Sequence, residues 1–193
     1  MSKSRSYKGD ELVLLGRKSG CENSLIDVYL DDVITLGGEI IKDYIVISPK
    51  IKNADLESGV IIIPSTGSEI LLINVFRYPL GQYVWELPRG FIDPNESAVE
   101  AARRELEEET GIQVLETDLD DVGLVAPEGG ILAAKNHIYI ARNCIINHPL
   151  VTNEHGHRSM KLFKNERVVE MLKTNQIIDS NTSVALYRFL YEF

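Results

Sequence analysis

Four glutamates fall within five consecutive positions in the stretch ELEEET, Glu105 to Thr110, immediately ahead of Gly111. On a helix Glu105, Glu108 and Glu109 stand at i, i+3 and i+4 and share one face, whereas Glu107 and Glu100 point the other way. Like charges at those spacings repel by about 0.2–0.5 kcal/mol per pair. Acids in a last helical turn also meet the negative end of the helix dipole, at about 0.3–1 kcal/mol each. A solvated acidic face paired with Lys or Arg accounts for an isolated turn of this kind. Three carboxylates converging on one patch are also what a hard divalent cation takes as ligands. Mg2+ in particular is held by a few carboxylates together with waters and substrate phosphates.

The surrounding residues favour the second account. Gly90 is followed after five residues by Glu96, and after seven more by Arg104-Glu105-Leu106-Glu107-Glu108-Glu109-Thr110-Gly111-Ile112. This pattern resembles the Nudix box, GX5EX7REUXEEXGU with U a bulky aliphatic residue, at all nine of its specified positions. The resemblance implies an α/β (α+β) fold, an α/β/α sandwich with a mixed sheet in which the box forms a loop, a helix and a loop. It also implies that Glu105, Glu108 and Glu109 hold Mg2+, or Mn2+, joined by the backbone carbonyl of Arg89. Gly90, Glu96 and Gly111 would shape the box, and Arg104 would pair with Glu96 and orient carboxylates without touching substrate. The implied reaction is metal-assisted attack of water on a diphosphate linked to a nucleoside or other group.

Outside the box the chain is similar to ADP-ribose and nucleoside diphosphate sugar pyrophosphatases. VFRYPLGQYVWELPRGFID, residues 75–93, is similar to their QYR…WELPAG…D lead-in. Pro127 lies near where a proline is characteristic of that branch, and NQIIDSNTSVALYRFL resembles its tail. The likeness implies substrate contacts from Arg77, Glu86, Pro127, Gly129 and Arg89, the last standing where the lead-in usually has a small residue. A salt bridge at a strand end is the alternative for Arg77. The implied general base is Glu154, in the polar stretch NEHGHRS, with Glu108 or Glu128 as alternatives. The implied substrate is ADP-ribose or a related nucleoside diphosphate sugar, ADP-ribose giving AMP and ribose 5-phosphate. GDP-mannose, dinucleoside polyphosphates, NADH and coenzyme A derivatives stay open, as does a sensor that binds ADP-ribose without cutting it. The branch further implies a homodimer built partly by the N-terminal strands.

These residues must be positioned by a fold that the rest of the sequence outlines. The 193 residues, 44% of them hydrophobic, suffice for a core without staples. A polar terminus (1–10) precedes a segment of three or four strands (11–57), expected as a small β subdomain. The Nudix-like domain is expected over 58–193. Within it GVIIIP and EILLINVF read as a hairpin of doubly buried strands, and YVWELP as a short strand. Residues 97–110 read as a helix stopped by Gly111, with Ala98, Ala101, Ala102 and Leu106 as its packing face. VGLVAP and AAKNHIYIARN read as strands, 147–160 as a long loop, and the tail as two amphipathic helices, the second capped by Ser180 or Asn181. Trp85 and Tyr83 are expected to pack in the core.

The net charge of −9 argues against a nucleic-acid or anionic-membrane partner but not against one small anion held locally. Cys21 and Cys144 form no CxxC pair and read as buried free thiols. MSKSRSYKGDE lacks the apolar run of a signal peptide, and no segment of eighteen apolar residues occurs, so a cytoplasmic protein is expected.

Overall fold

The structure, a computed structural model, describes residues 12–146 and 156–191. Strands β1 (Val13–Glu22), β2 (Ile26–Ile34) and β3 (Ile40–Pro49) form an antiparallel sheet in sequence order. Asn23 turns the first corner by accepting the Leu25 and Ile26 amides at 2.8 and 2.9 Å. The GG step turns the second, with Gly38 at φ 82°. As the edge strand, β1 is exposed along its whole length, and this carries Cys21 to the surface. Only Cys144 is the buried thiol that composition suggests.

The remaining strands form two sheets packed between helices. One has the order β7 (Arg89–Phe91), β4 (Glu57–Pro64), β9 (Lys135–Ala141), β8 (Leu119–Val125); the other has β10 (His157–Lys164), β5 (Glu69–Arg77), β6 (Gln82–Glu86). The first sheet is mixed, because β4 runs parallel to β9 and antiparallel to β7. Both edges of β4 are therefore occupied, and it does not form the hairpin with β5 that its sequence suggests. The two strands share only the isolated bridge Ser65–Ile70, just past Pro64, which has no N–H to extend a ladder.

Alternation along β4 and β5 builds two apolar layers. Val60, Ile62, Leu71 and Ile73 face α1 (Ala98–Thr110), whose Ala101, Ala102 and Leu106 are fully buried. Ile61, Ile63, Ile70 and Leu72 face α2 (Asn165–Lys173) and α3 (Ser180–Leu190). The result is the expected α/β/α sandwich. Its doubly buried strands explain the unbroken apolar runs, each fully buried aliphatic side chain contributing about 1.5–3 kcal/mol.

Other expectations shift locally. Residues 157–160, read as the end of a polar loop, belong to edge strand β10, while 147–155 lie outside the described residues. An edge strand needs only one apolar face, supplied here by Met160 and Leu162. Trp85 packs edge-on against Phe163 at 5.0 Å, but Tyr83 is exposed and meets Phe76 at the sheet rim. Asp179, rather than Ser180 or Asn181, caps α3 by accepting the Thr182 amide at 2.8 Å.

Thr182, with no exposed surface, accepts the buried Leu87 amide through its hydroxyl at 3.1 Å and so ties α3 to the chain just before β7. Thr182→Val keeps the shape but strands that amide, at a cost of about 1–3 kcal/mol. A lower urea midpoint at unchanged m-value is the expected result, and an unchanged midpoint would show the bond to be dispensable.

Candidate active site

The loop between β7 and α1 turns at Asn95 (φ 68°), where Asp93 and Glu96 exchange short-range bonds. Ser97 then caps the helix in a capping box with Glu100. At the other end Gly111 adopts φ 73° and bonds back to the Glu107 carbonyl. Across this loop lies Arg104. Its guanidinium takes Glu96 in a two-pronged bond at 2.9 Å each, donates to the Phe91 carbonyl at 2.9 Å, and reaches Glu105 at 2.7 Å and Glu108 at 3.2 Å. The Glu96 pairing raises the arginine's pKa, and the same bond holds the Glu96 carboxyl below its ordinary value. Arg104 thus ties the loop to the helix and draws carboxylates into place.

The Glu105 carboxylate lies over Gly90, in the space that any Cβ there would occupy. This is the physical reason for a side-chain-free residue at 90, whose φ is not positive. Glu109 accepts the Arg89 backbone N–H at 2.9 Å, and His157 Nε2 approaches its other oxygen at 3.5 Å. Burial pushes Glu109 up to about 8; the Arg89 amide opposes this and the nearby Glu105 charge adds to it. Burial likewise raises Glu105, against the pull of Arg104. Glu108 points outward with half its side chain exposed, and Glu107 faces solvent, held by Gln113.

Two neighbouring carboxylates are thus kept from water without a full counter-charge. Such an oxygen-only donor set fits a hard divalent cation. Among the described residues no three His, Cys, Asp or Glu groups already enclose a metal-sized point.

Glu109 forms part of the wall of a cleft of about 410 Å³, with Gly90, Arg77, Arg89, Pro127 and His157. Both arginines converge on Glu86, which is 1% exposed: Arg77 through Nε at 2.9 Å and a second, shorter bond, Arg89 at 2.7 Å. Arg89 also reaches the cap residue Asp179 at 3.1 Å. The Glu86 bond raises the pKa of Arg77. Glu86 therefore lies behind the two arginines and anchors them, and neither it nor the exposed Gly129 lines the cleft. Glu154 lies outside the described residues. Asp179 was missed from sequence although the DSNT cap pattern was there to see, because its tie to Arg89 spans ninety positions. Of the cleft-wall residues, Ser58 carried no sequence signal and Asn181 only that of a cap candidate.

Comparison with known proteins places this geometry. A sequence profile described as NUDIX domain matches residues 55–181. The chain is 26% identical over 171 residues to a CMP-5'-(N-acetyl-N-hydroxy-3-aminopropyl)phosphonate hydrolase of Streptomyces rubellomurinus, covering 88% of this chain and 77% of that protein. It is 45% identical over 62 residues to the ADP-sugar pyrophosphatase of Mus musculus, a match spanning only 31% of this chain and 28% of the mouse protein. A crystal structure of an ADP compounds hydrolase superposes with a TM-score of 0.74 over 97% of this chain and 95% of that one, at 21% identity, a likeness of fold.

Gly90→Ala forces the Glu105 carboxylate out of its seat. Wild-type protein should melt higher in saturating Mg2+, by about 2.7 kcal/mol of stabilisation at a hundredfold excess over Kd. Gly90→Ala should keep its far-UV spectrum and lose most of that rise. An equal rise in both proteins would detach Glu105 from cation binding.

Proposed function

Because the chain belongs to the Nudix hydrolase family, we propose that it is a Mg2+-dependent pyrophosphatase acting in the cytoplasm on ADP-ribose or a related nucleoside diphosphate sugar. The observation that carries this reading is the buried, under-neutralised pair Glu105 and Glu109 beside a cleft bearing Arg77 and Arg89. Glu105, Glu108 and Glu109 would hold the cation, which when bound supplies charge neutralisation at phosphate oxygens and acidifies water.

The chain's own groups do the rest. Arg104 fixes Glu105 and Glu108, the Arg89 amide and His157 orient Glu109, and Gly90 leaves room for the carboxylate. Arg77 and Arg89, held by Glu86, offer planar donors to a diphosphate. Glu154 is the proposed general base, taking a proton from the attacking water. The phosphonate hydrolase likeness spans most of the chain and favours one second reading, the same cleavage beside a nucleotide with a different distal group.

We further propose a homodimer formed through the N-terminal sheet. Val13, Leu14, Leu15, Ile40 and Ile45 there are 48–54% exposed, apolar side chains that a second copy could cover. Among the described residues no helix is long and apolar enough to cross a membrane.

Glu109→Gln keeps an acceptor for the Arg89 amide but removes the anion. Turnover of ADP-ribose should fall about a hundredfold or more while melting in metal-free buffer is not lowered. Retained turnover sinks the ligand role. Glu154→Gln should lower kcat by about 10²–10⁴-fold with KM nearly unchanged, and full activity would assign the base elsewhere. Sedimentation should give a particle of two chains, reduced to one by Leu14→Asp or Ile45→Asp. A single-chain wild type rules the dimer out.

A further inference from the structure

Buried polar atoms in folded proteins are nearly always paired, so each exception asks for a cause. Two such exceptions lie in the wall of the same cleft as Glu109, Arg77 and Arg89. Ser58, on β4, is 1% exposed and Asn181, in the first turn of α3, is 6% exposed. Among the described residues neither Ser58 Oγ nor Asn181 Oδ1 has a hydrogen-bond partner. We propose that Asn181 and Ser58 form a subsite that reads sugar hydroxyls of the substrate, a specificity element that rests on the pyrophosphatase reading above and deepens it.

The chemistry of the wall selects a sugar. An amide oxygen takes a hydroxyl proton, and a serine hydroxyl both gives and takes one. Ile26, Pro49 and Leu132 supply aliphatic contact, and Phe91 is the one carbocyclic aromatic ring among the described lining residues. That lining suits a ring of carbon and hydroxyl groups better than a base stacked between aromatic faces.

Asn181 is also fixed relative to the phosphate side of the cleft. Asp179, two residues earlier, caps α3 and grips Arg89, and Thr182 holds the Leu87 amide. The neighbouring Ser180 hydroxyl donates to the Pro127 carbonyl at 3.4 Å. A hydroxyl bound at Asn181 is therefore held at a set distance from a diphosphate on Arg89. On the opposite strand pair, Gly59 has no side chain, and this leaves room for the Asn136 amide, whose Oδ1 would be 2.6 Å from a Cβ there. A further polar group thus enters the same wall.

The test compares wild type, Asn181→Ala and Ser58→Ala. Three substrates are used with Mg2+: ADP-ribose, the β-methyl ester of ADP, which lacks the distal sugar, and 2′-deoxyadenosine diphosphate ribose. Each variant should raise KM for ADP-ribose about tenfold or more with kcat within about twofold, since a site built to pair a hydroxyl discriminates through that pairing. The penalty should vanish on the methyl ester if the distal sugar is read, or on the deoxy compound if the nucleoside ribose is.

Melting in the absence of ligand separates this from a structural role. Removing an unpaired buried oxygen should leave the melting temperature unchanged or raise it by about 2–4 °C. Equal penalties on all three substrates, a fall in kcat at constant KM, or a lower melting temperature in both variants overturns the subsite. A wild type that cleaves none of the three refutes the pyrophosphatase reading instead. Calorimetry with AMP and ribose 5-phosphate then reads the subsite without turnover: weaker binding in the variants supports it, and equal or absent binding in all three proteins overturns it.

Discussion

Taking a carboxylate out of water is costly unless charge or hydrogen bonds replace the lost hydration, and α1 does this twice, at Glu105 and Glu109. Arg104 supplies the charge for Glu105 but divides it among Glu96, Glu105 and Glu108. Glu109 has an amide N–H, a histidine edge and the more distant charges of Arg77 and Arg89. Neither carboxylate is fully compensated, and both are driven toward their protonated forms. On the proposed reading the deficit has a use: a site neutralised by its own arginines would gain little from a cation, whereas this one would gain from it directly.

The fold keeps that deficit from relaxing. Glu105 cannot turn back to solvent without leaving the hollow over Gly90, and Arg104 bonded to the Phe91 carbonyl holds strand and helix together. On the far side, Glu86 anchors both cleft arginines, and Arg89 passes the restraint to the first turn of α3 through Asp179. Arg77, Arg104, Glu105 and Glu109 are thus held by a strand or helix whose buried side chains belong to the apolar layers. Placement on packed elements in this way sets side-chain positions more closely than loops do.

What the sequence disclosed follows from the range of the interactions involved. The α1 stop at Gly111 and the shared face of Glu105, Glu108 and Glu109 depend on spacings within one box, although Glu108 turns outward on that face; the pairing of Arg104 with Glu96 was implied by the box's resemblance. The pairing of β4 was not legible, because an apolar run buried on both faces shows that a strand is covered without naming its neighbours. β10 was lost for the opposite reason: as an edge strand it alternates polar residues such as Ser159 and Lys161 outward and looks like loop. The cleft position of Ser58 and Asn181 left no trace, since a serine or an asparagine becomes unusual only when its partners are found to be absent.

Composition draws a boundary near residue 57, between strand-rich and mixed sequence, and the cleft lies across it. Ile26 and Pro49 on one side and Ser58, Val60 and Glu109 on the other line the same cavity. The joint is made of specific bonds: Ile47 pairs in parallel with Leu132, exchanging amide bonds of 2.7 and 2.8 Å with the 131–133 backbone, and the Tyr44 hydroxyl donates to the Gly130 carbonyl at 2.7 Å. The 127–134 segment is thereby fixed from outside the sandwich, although Pro127, Leu132 and Ala134 line the cleft within it. Strands that contribute nothing to the Nudix box therefore set the width of the space beside it. A family can keep its box and still change what it accepts by varying residues that hold no cation.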